Sequence, residues 1–251
     1  MSRPDSETAR HAWIVGASTG FGLALGAALR KRDWTVTLSA RNLARLEQAA
    51  ASIGAAHVGV DVSDRAGFQA AIQTIFRTTP PDTVVLNAAE YEPMPLADFD
   101  SALFERLIRT NYLGVVYGLE ALLPAMRANG GGQILITASI AGYRGLPLAA
   151  PYSATKAALI NLAEALAPEA ARWGIRLRLI NPGFIRTPMT GKNPFKMPFL
   201  LEPEAAAAYV VRAIDRDGFE IAFPRRFAYL MKLLRILPYR LYFPLMRLLS
   251  Q

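Results

Sequence analysis

Three side chains in this 251-residue chain are of types that together can work on a carbonyl group: the hydroxyl of Ser139, the phenol of Tyr152 and the ammonium of Lys156. A hydroxyl and a phenol can both hydrogen-bond a C=O oxygen, and the phenol can hand over a proton as negative charge develops there. Tyr152 and Lys156 are four residues apart, one turn along one helix face, so the ammonium is expected beside the phenol, favouring its ionised form. A phenol titrates near pH 10 when unperturbed, and it needs such help to exchange protons near neutrality. Carbonyl reduction also needs a hydride, and an upstream segment has the form of a site for its carrier. Gly16-Ala17-Ser18-Thr19-Gly20-Phe21-Gly22 follows a short apolar run and opens a helical one. In that setting backbone amides at a helix start cradle a dinucleotide's phosphates, with Gly16, Ser18, Thr19, Gly20, Phe21 and Gly22 as the contacts.

The elements that must position these groups are legible as alternation. Short β-rich runs stand at Trp13–Gly16, Thr35–Ala40, His57–Asp61, Thr83–Asn87, Gln133–Ala138, Arg176–Ile180 and Glu220–Phe223, with Ala- and Leu-rich helical segments between most of them. Short, uniformly apolar strands separated by helices predict an α/β fold: a Rossmann-like doubly wound parallel sheet of about seven strands with helices on both faces. Such sheets bind ligands at the carboxyl edge, where strand order reverses. The Gly-rich turn, Ser39 to Arg41, Asp61, Asn87 and Ser139 close the first five strands on that edge. One domain over residues 1–222 is the simplest organisation. Within it the Pro-, Met-, Phe- and Gly-rich stretch at about 184–204 reads as a mobile lid over a substrate.

The second strand ends Leu38-Ser39-Ala40-Arg41-Asn42, without the acidic residue that would hold an adenosine ribose 2′-hydroxyl. A guanidinium stands beside that place instead. Arg41 can grip a 2′-phosphate by a charge-assisted contact, which favours NADP(H) over NAD(H).

These motifs, at these spacings, resemble the short-chain dehydrogenase/reductase family: a Gly-rich turn with three residues and then one between its glycines, Tyr-x-x-x-Lys, and a Ser thirteen residues before the Tyr. The resemblance covers roughly residues 10–215. It implies that Tyr152 gives the proton, that Ser139 holds the substrate oxygen, and that Lys156 also binds the nicotinamide ribose. Asn111, in Asn111-Tyr112-Leu113-Gly114, matches the family's Asn-x-x-Gly, whose amide orders a water that relays protons to the Lys. It implies further that Asp61 and Val62 contact the adenine, and that Asn87, Ala88 and Ala89 line the cofactor. Pro182, Gly183, Ile185 and Thr187 match the Pro-Gly-x-Ile/Val-x-Thr segment that holds the nicotinamide amide. Subunit number follows only by resemblance, as a homodimer or homotetramer. The sequence departs from the pattern at Val15, in place of Thr, and at Ala89-Glu90, where a methyl and a carboxylate stand near the cleft instead of a glycine.

The resemblance leaves three readings open: reduction of a hydrophobic ketone or aldehyde (or oxidation of its alcohol), a 3-oxoacyl-type reductase, and a non-catalytic NADP(H) sensor or scaffold. Two other motifs lack partners. Gly16-x-Ser18-x-Gly20 also reads as a hydrolase nucleophile turn, but no His follows His57. Ser153-Ala154-Thr155-Lys156 reads as a penicillin-recognising motif without its other segments.

Composition narrows the classes. The chain has no cysteine and two histidines, which removes disulfides, thiolate chemistry and Cys- or His-rich metal sites. Its 52% hydrophobic and 19% charged content is that of a packed globular protein. The first ten residues are polar, unlike a secretory signal, and no run spans a membrane, so cytoplasm is the expected compartment. Net charge is +8, and residues 223–251 hold six basic side chains and no acidic one. This apolar, basic tail is broken by Pro224, Pro238 and Pro244. Two short helices are expected there, lying on an anionic membrane, capping the cleft or forming a subunit interface. Nothing in it resembles a nucleic-acid platform.

Overall fold

The computed structural model describes residues 9–249 apart from Pro194. Met1–Thr8, Pro194, Ser250 and Gln251 lie outside the described residues, and with them most of the polar start, one residue of the expected lid and the end of the tail.

Seven strands, β1 (His11–Val15), β2 (Thr35–Ala40), β3 (Ala56–Gly59), β4 (Thr83–Leu86), β5 (Gly132–Thr137), β6 (Ile175–Pro182) and β7 (Glu220–Phe223), form one sheet in the order 3-2-1-4-5-6-7. Every pairing is parallel. The order reverses between β1 and β4, and the crevice at their carboxyl ends is where such a sheet receives ligands.

A strand turns successive side chains to opposite faces, so the central strands feed two cores. Trp13, Val15, Val84, Leu86, Ile134 and Ile136 pack under α3 (Arg65–Thr78), α5 (Gly114–Ala128) and α6 (Ala150–Ala171). Ile14, Val36, Leu38, Val85, Leu135 and Ile180 pack under α1 (Gly20–Arg30), α2 (Leu43–Ile53) and α7 (Pro203–Ala213). Burial on both faces explains why the strands read as continuous apolar runs.

The helix before α5 is interrupted. α4 (Ser101–Leu107) passes through a π-helical turn at Ile108–Leu113 before α5 begins, and such turns recur at functional sites. The basic tail folds as α8 (Arg225–Ile236) and α9 (Tyr239–Leu249), broken at Leu237-Pro238, where proline cannot continue a helix. α8 buries Phe227, Ala228 and Met231 against the core containing α6, and α9 buries Tyr242 and Met246.

Candidate active site

The first strand ends in a turn that only glycines can make. Gly16 has φ +87°, and a Cβ there would lie 2.5 Å from the Ala88 backbone; a Cβ on Gly22 would lie 2.4 Å from the Gly16 carbonyl oxygen. The glycines therefore let the turn approach the end of β4 and close on itself, before any ligand is considered. Asn87 fastens the same junction, its Nδ2 donating to the Gly16 carbonyl at 2.8 Å. The α1 N-terminus carries no side-chain cap at Thr19 and no acidic residue in its first turn. Its positive end and unpaired amides open beside the Ser18 and Thr19 hydroxyls, a donor set suited to phosphate oxygens.

This turn forms part of a cleft of about 630 Å³ that also takes in the ends of β2, β3, β4, β5 and β6. All eighteen residues expected to touch a cofactor line it: the Gly16–Gly22 contacts, Arg41, Asp61, Val62, Asn87, Ala88, Ala89, Tyr152, Lys156, Pro182, Gly183, Ile185 and Thr187. Ser139 and Asn111 stand behind its wall. The Asp61 carboxyl is held below its usual range by hydrogen bonds from Ser63, with Arg41 adding to the effect, and so stays ionised.

Lys156 is buried to 1% exposure, and its Nζ donates to the Thr137 carbonyl at 2.8 Å. Burial pulls its pKa down from 10.5 to about 7. The Tyr152 ring borders the cleft within an apolar cluster of Met94, Leu103, Phe104 and Leu107, and burial pushes its pKa up to about 12, against a lowering hydrogen bond from Ser139. Because the ring still faces the cleft, solvent there tempers that shift. The expectation that the ammonium would ionise the phenol does not hold in this geometry. The lysine head lies 5.5 Å from the ring centroid and reaches down to the strand carbonyl, and desolvation dominates both groups. At neutral pH Tyr152 therefore carries its proton, as a proton donor must.

Ser139 combines two settings. Its Oγ caps the short turn at Ile140–Gly142, accepting from the Ala141 N–H at 3.1 Å, and it also acts on the Tyr152 phenol. Asn111 is held by the chain around it. Its Oδ1 accepts from the Glu90 N–H at 2.7 Å, and its Nδ2 donates to the Glu90 carbonyl at 2.9 Å and to Thr155 Oγ1 at 3.3 Å. The fully buried amide thus holds the chain after β4 against α6.

The departure at residue 90 has a local consequence. Glu90 Oε1 receives Arg41 Nη1 at 2.8 Å, and Oε2 lies 3.5 Å from Arg106 Nε. The guanidinium expected to read a 2′-phosphate is already paired with a carboxylate. Arg45 lines the same part of the cleft wall as a second guanidinium, and the sequence reading passed it over. Its position just after Arg41 at the start of α2 was the available signal. Tyr91 was also missed: its ring meets Tyr152 edge-on at 5.1 Å, and its hydroxyl donates to Asn193 Oδ1 at 2.6 Å. No motif marks it.

The stretch expected to form a lid contributes Ile185, Thr187, Pro188, Met189, Thr190 and Lys192 to the cleft. It is tied down by a bridge between Ile185 and Leu201, an Arg186–Glu202 ion pair, and stacking of Phe227 against Phe184 and Phe199. Among the described residues nothing after Lys192 lines the cleft. The two decoy motifs stay without partners: His57 lies on edge strand β3, and Ser153 Oγ is buried with no hydrogen-bond partner.

Comparison with known proteins agrees with this geometry. A family described as short chain dehydrogenase matches residues 10–197. An uncharacterized oxidoreductase of Myxococcus xanthus is 32% identical over 235 residues, covering 91% of this chain and 93% of its own. The crystal structure of a short-chain dehydrogenase from Streptomyces avermitilis superposes with a TM-score of 0.80 at 27% identity, over 90% of this chain and 92% of that one. A gluconate 5-dehydrogenase from Burkholderia cenocepacia, solved with NADP and tartrate, gives 0.68 at 29% identity over 72% and 73%.

Proposed function

The chain belongs to the short-chain dehydrogenase family, and from that premise we propose that it is an NADP(H)-dependent oxidoreductase that reduces a ketone or aldehyde on a hydrophobic substrate, or oxidises the corresponding alcohol. The observation that carries this reading is that Tyr152 and Lys156 stand in the wall of the same cleft as the Gly16–Gly22 turn. The residues fit the cofactor. The uncapped α1 start, Ser18 and Thr19 would hold its pyrophosphate; Arg41 and Arg45 its 2′-phosphate; Ile185 and Thr187 its amide. When bound, the cofactor supplies or accepts the hydride.

The chain's own groups handle the proton and the oxygen. Tyr152 keeps its phenolic proton at neutral pH and donates it to the carbonyl oxygen as negative charge builds there. Ser139 orients that hydroxyl and steadies the same charge. Lys156, whose pKa burial lowers to about 7, can give up a proton near neutrality and so resupply the Tyr152 phenolate left after turnover. Tyr91 and Leu107 line the cleft next to Tyr152, which itself packs on the apolar cluster of Met94, Leu103 and Leu107, and this supports a hydrophobic substrate. The preference for NADP(H) is supported by the paired guanidinia and by the absence of an acid at the end of β2. Assembly as a homodimer or homotetramer is part of this reading, and sedimentation velocity would measure it.

The test is NADPH oxidation against ketones graded from small and polar to long and lipophilic, with Tyr152→Phe as the control. Turnover that rises with apolar length and vanishes in Tyr152→Phe is the expected result. Tight NADPH binding with no turnover of any carbonyl would instead favour a sensor.

A further inference from the structure

The tail is absorbed neither by the cleft nor by the core on its outer side. α8 buries Phe227, Ala228 and Met231 on one face, and the opposite face shows Tyr229 at 71%, Leu233 at 55% and Ile236 at 75% exposure. α9 buries Tyr242 and Met246 and leaves Leu241, Phe243 and Leu248 more than half exposed. A soluble monomer seldom leaves so many large apolar side chains in adjacent turns uncovered.

Charge separates the occupants that could cover such a face. Arg225, Arg226, Arg240 and Arg247 are all exposed, and residues 223–251 contain no acidic side chain. Lys232 is bridged to Glu220, which belongs to β7, and Arg144 stacks on Tyr239 and Tyr242 beneath the two helices. A second copy in a two-fold interface would bring arginines of one patch against the same arginines of the other, with no acidic side chain of residues 223–251 to meet them. A nucleic acid would leave the apolar residues without a partner. An anionic lipid surface satisfies both halves, taking leucine, isoleucine and aromatic side chains below the headgroups and guanidinia among the phosphates. No helix among the described residues is long and apolar enough to cross a membrane, which leaves surface contact as the mode.

We propose that the outer face of α8 and α9 is a docking surface for an anionic lipid bilayer. The inner face of α8 carries Phe227, stacked 5.8 Å from Phe184 and 5.6 Å from Phe199, so the docking helix also holds the segment bordering the cleft. The proposal goes beyond the reductase reading and stands without it, since its readout is binding alone.

The full chain would be sedimented with phosphatidylcholine vesicles containing 0 or about 30% phosphatidylglycerol, alongside two variants altered at exposed positions: Tyr229→Ser/Leu233→Ser/Ile236→Ser and Arg240→Gln/Arg247→Gln. Expected are binding to the anionic vesicles only, weakening with salt, a loss of roughly fivefold per arginine removed, and a loss of at least about tenfold in the apolar variant. Unchanged circular dichroism would show that both variants fold. Equal binding to neutral vesicles, no binding, or variants that bind like the parent would overturn the proposal. So would a parent dimer that dissociates in the apolar variant, because the face would then belong to a second copy.

Discussion

Replacing Lys156 by Met should stabilise the fold while removing its catalytic chemistry. The side chain is fully enclosed, and among the described residues its Nζ hydrogen-bonds the Thr137 carbonyl. Burial lowers its pKa from 10.5 to about 7. The unfolded chain therefore binds a proton here that the folded chain releases, across the window between those two values. In that window stability rises with pH, the penalty being complete below about 7 and gone above about 10.5. At about 1.36 kcal/mol per pKa unit the penalty is roughly 4 kcal/mol at pH 7 and roughly 2 kcal/mol at pH 9. Met has nearly the same length, so little cavity forms, and loss of the Thr137 bond costs about 1 kcal/mol. Lys156→Met should then be more stable by roughly 3 kcal/mol at pH 7 and roughly 1 kcal/mol at pH 9. For a chain of this size that is a rise in Tm of about 6–12 °C at pH 7. Urea unfolding followed by tryptophan fluorescence between pH 6.5 and 9.5 measures both curves. A Met variant less stable than the parent at pH 7, or a difference that does not shrink as pH rises, would refute the reasoning.

Three further outcomes follow from the cleft. Glu90→Gln frees Arg41 from its ion pair and should tighten NADPH binding roughly 1.5–5-fold in calorimetry with NADH nearly unchanged; equal changes for both cofactors would remove Glu90 from the 2′-phosphate's surroundings. Ala40→Asp with Arg41→Leu should weaken NADPH by about 10–100-fold relative to NADH, and an unaltered ratio would count against the assigned cofactor. Gly22→Ala forces a Cβ to within 2.4 Å of the Gly16 carbonyl oxygen. It should cost about 1–3 kcal/mol of stability and distort the phosphate turn, so unchanged melting and unchanged nucleotide affinity would show that the turn has slack.

The sequence by itself determined the sheet, its parallel sense and the loops that form the site. Strands buried on both faces must be apolar throughout, and helical crossovers must intervene between parallel neighbours, so the alternation of runs is enough to read. For the same reason most of the cleft-lining residues were legible one by one: they stand at strand ends or at a helix start, where local chain direction fixes which edge they occupy. Tyr152 and Lys156 were legible as a pair because a helix sets their spacing.

Only the tertiary structure decided what surrounds each of them. The pairing of Arg41 with Glu90 joins the ends of two strands that are not neighbours, and no local rule relates residues 41 and 90. Whether the lysine lowers the phenol's pKa depended on where Nζ could find an acceptor, and that acceptor, Thr137, lies on another element. Asn111 matches a motif by spacing alone, and the tertiary fold adds that it sits in a π-helical turn with its amide on the Glu90 backbone. Spacing fixes the direction in which a side chain leaves its own element, while burial and hydrogen-bond partners come from elements distant in sequence, and those set its charge and its role.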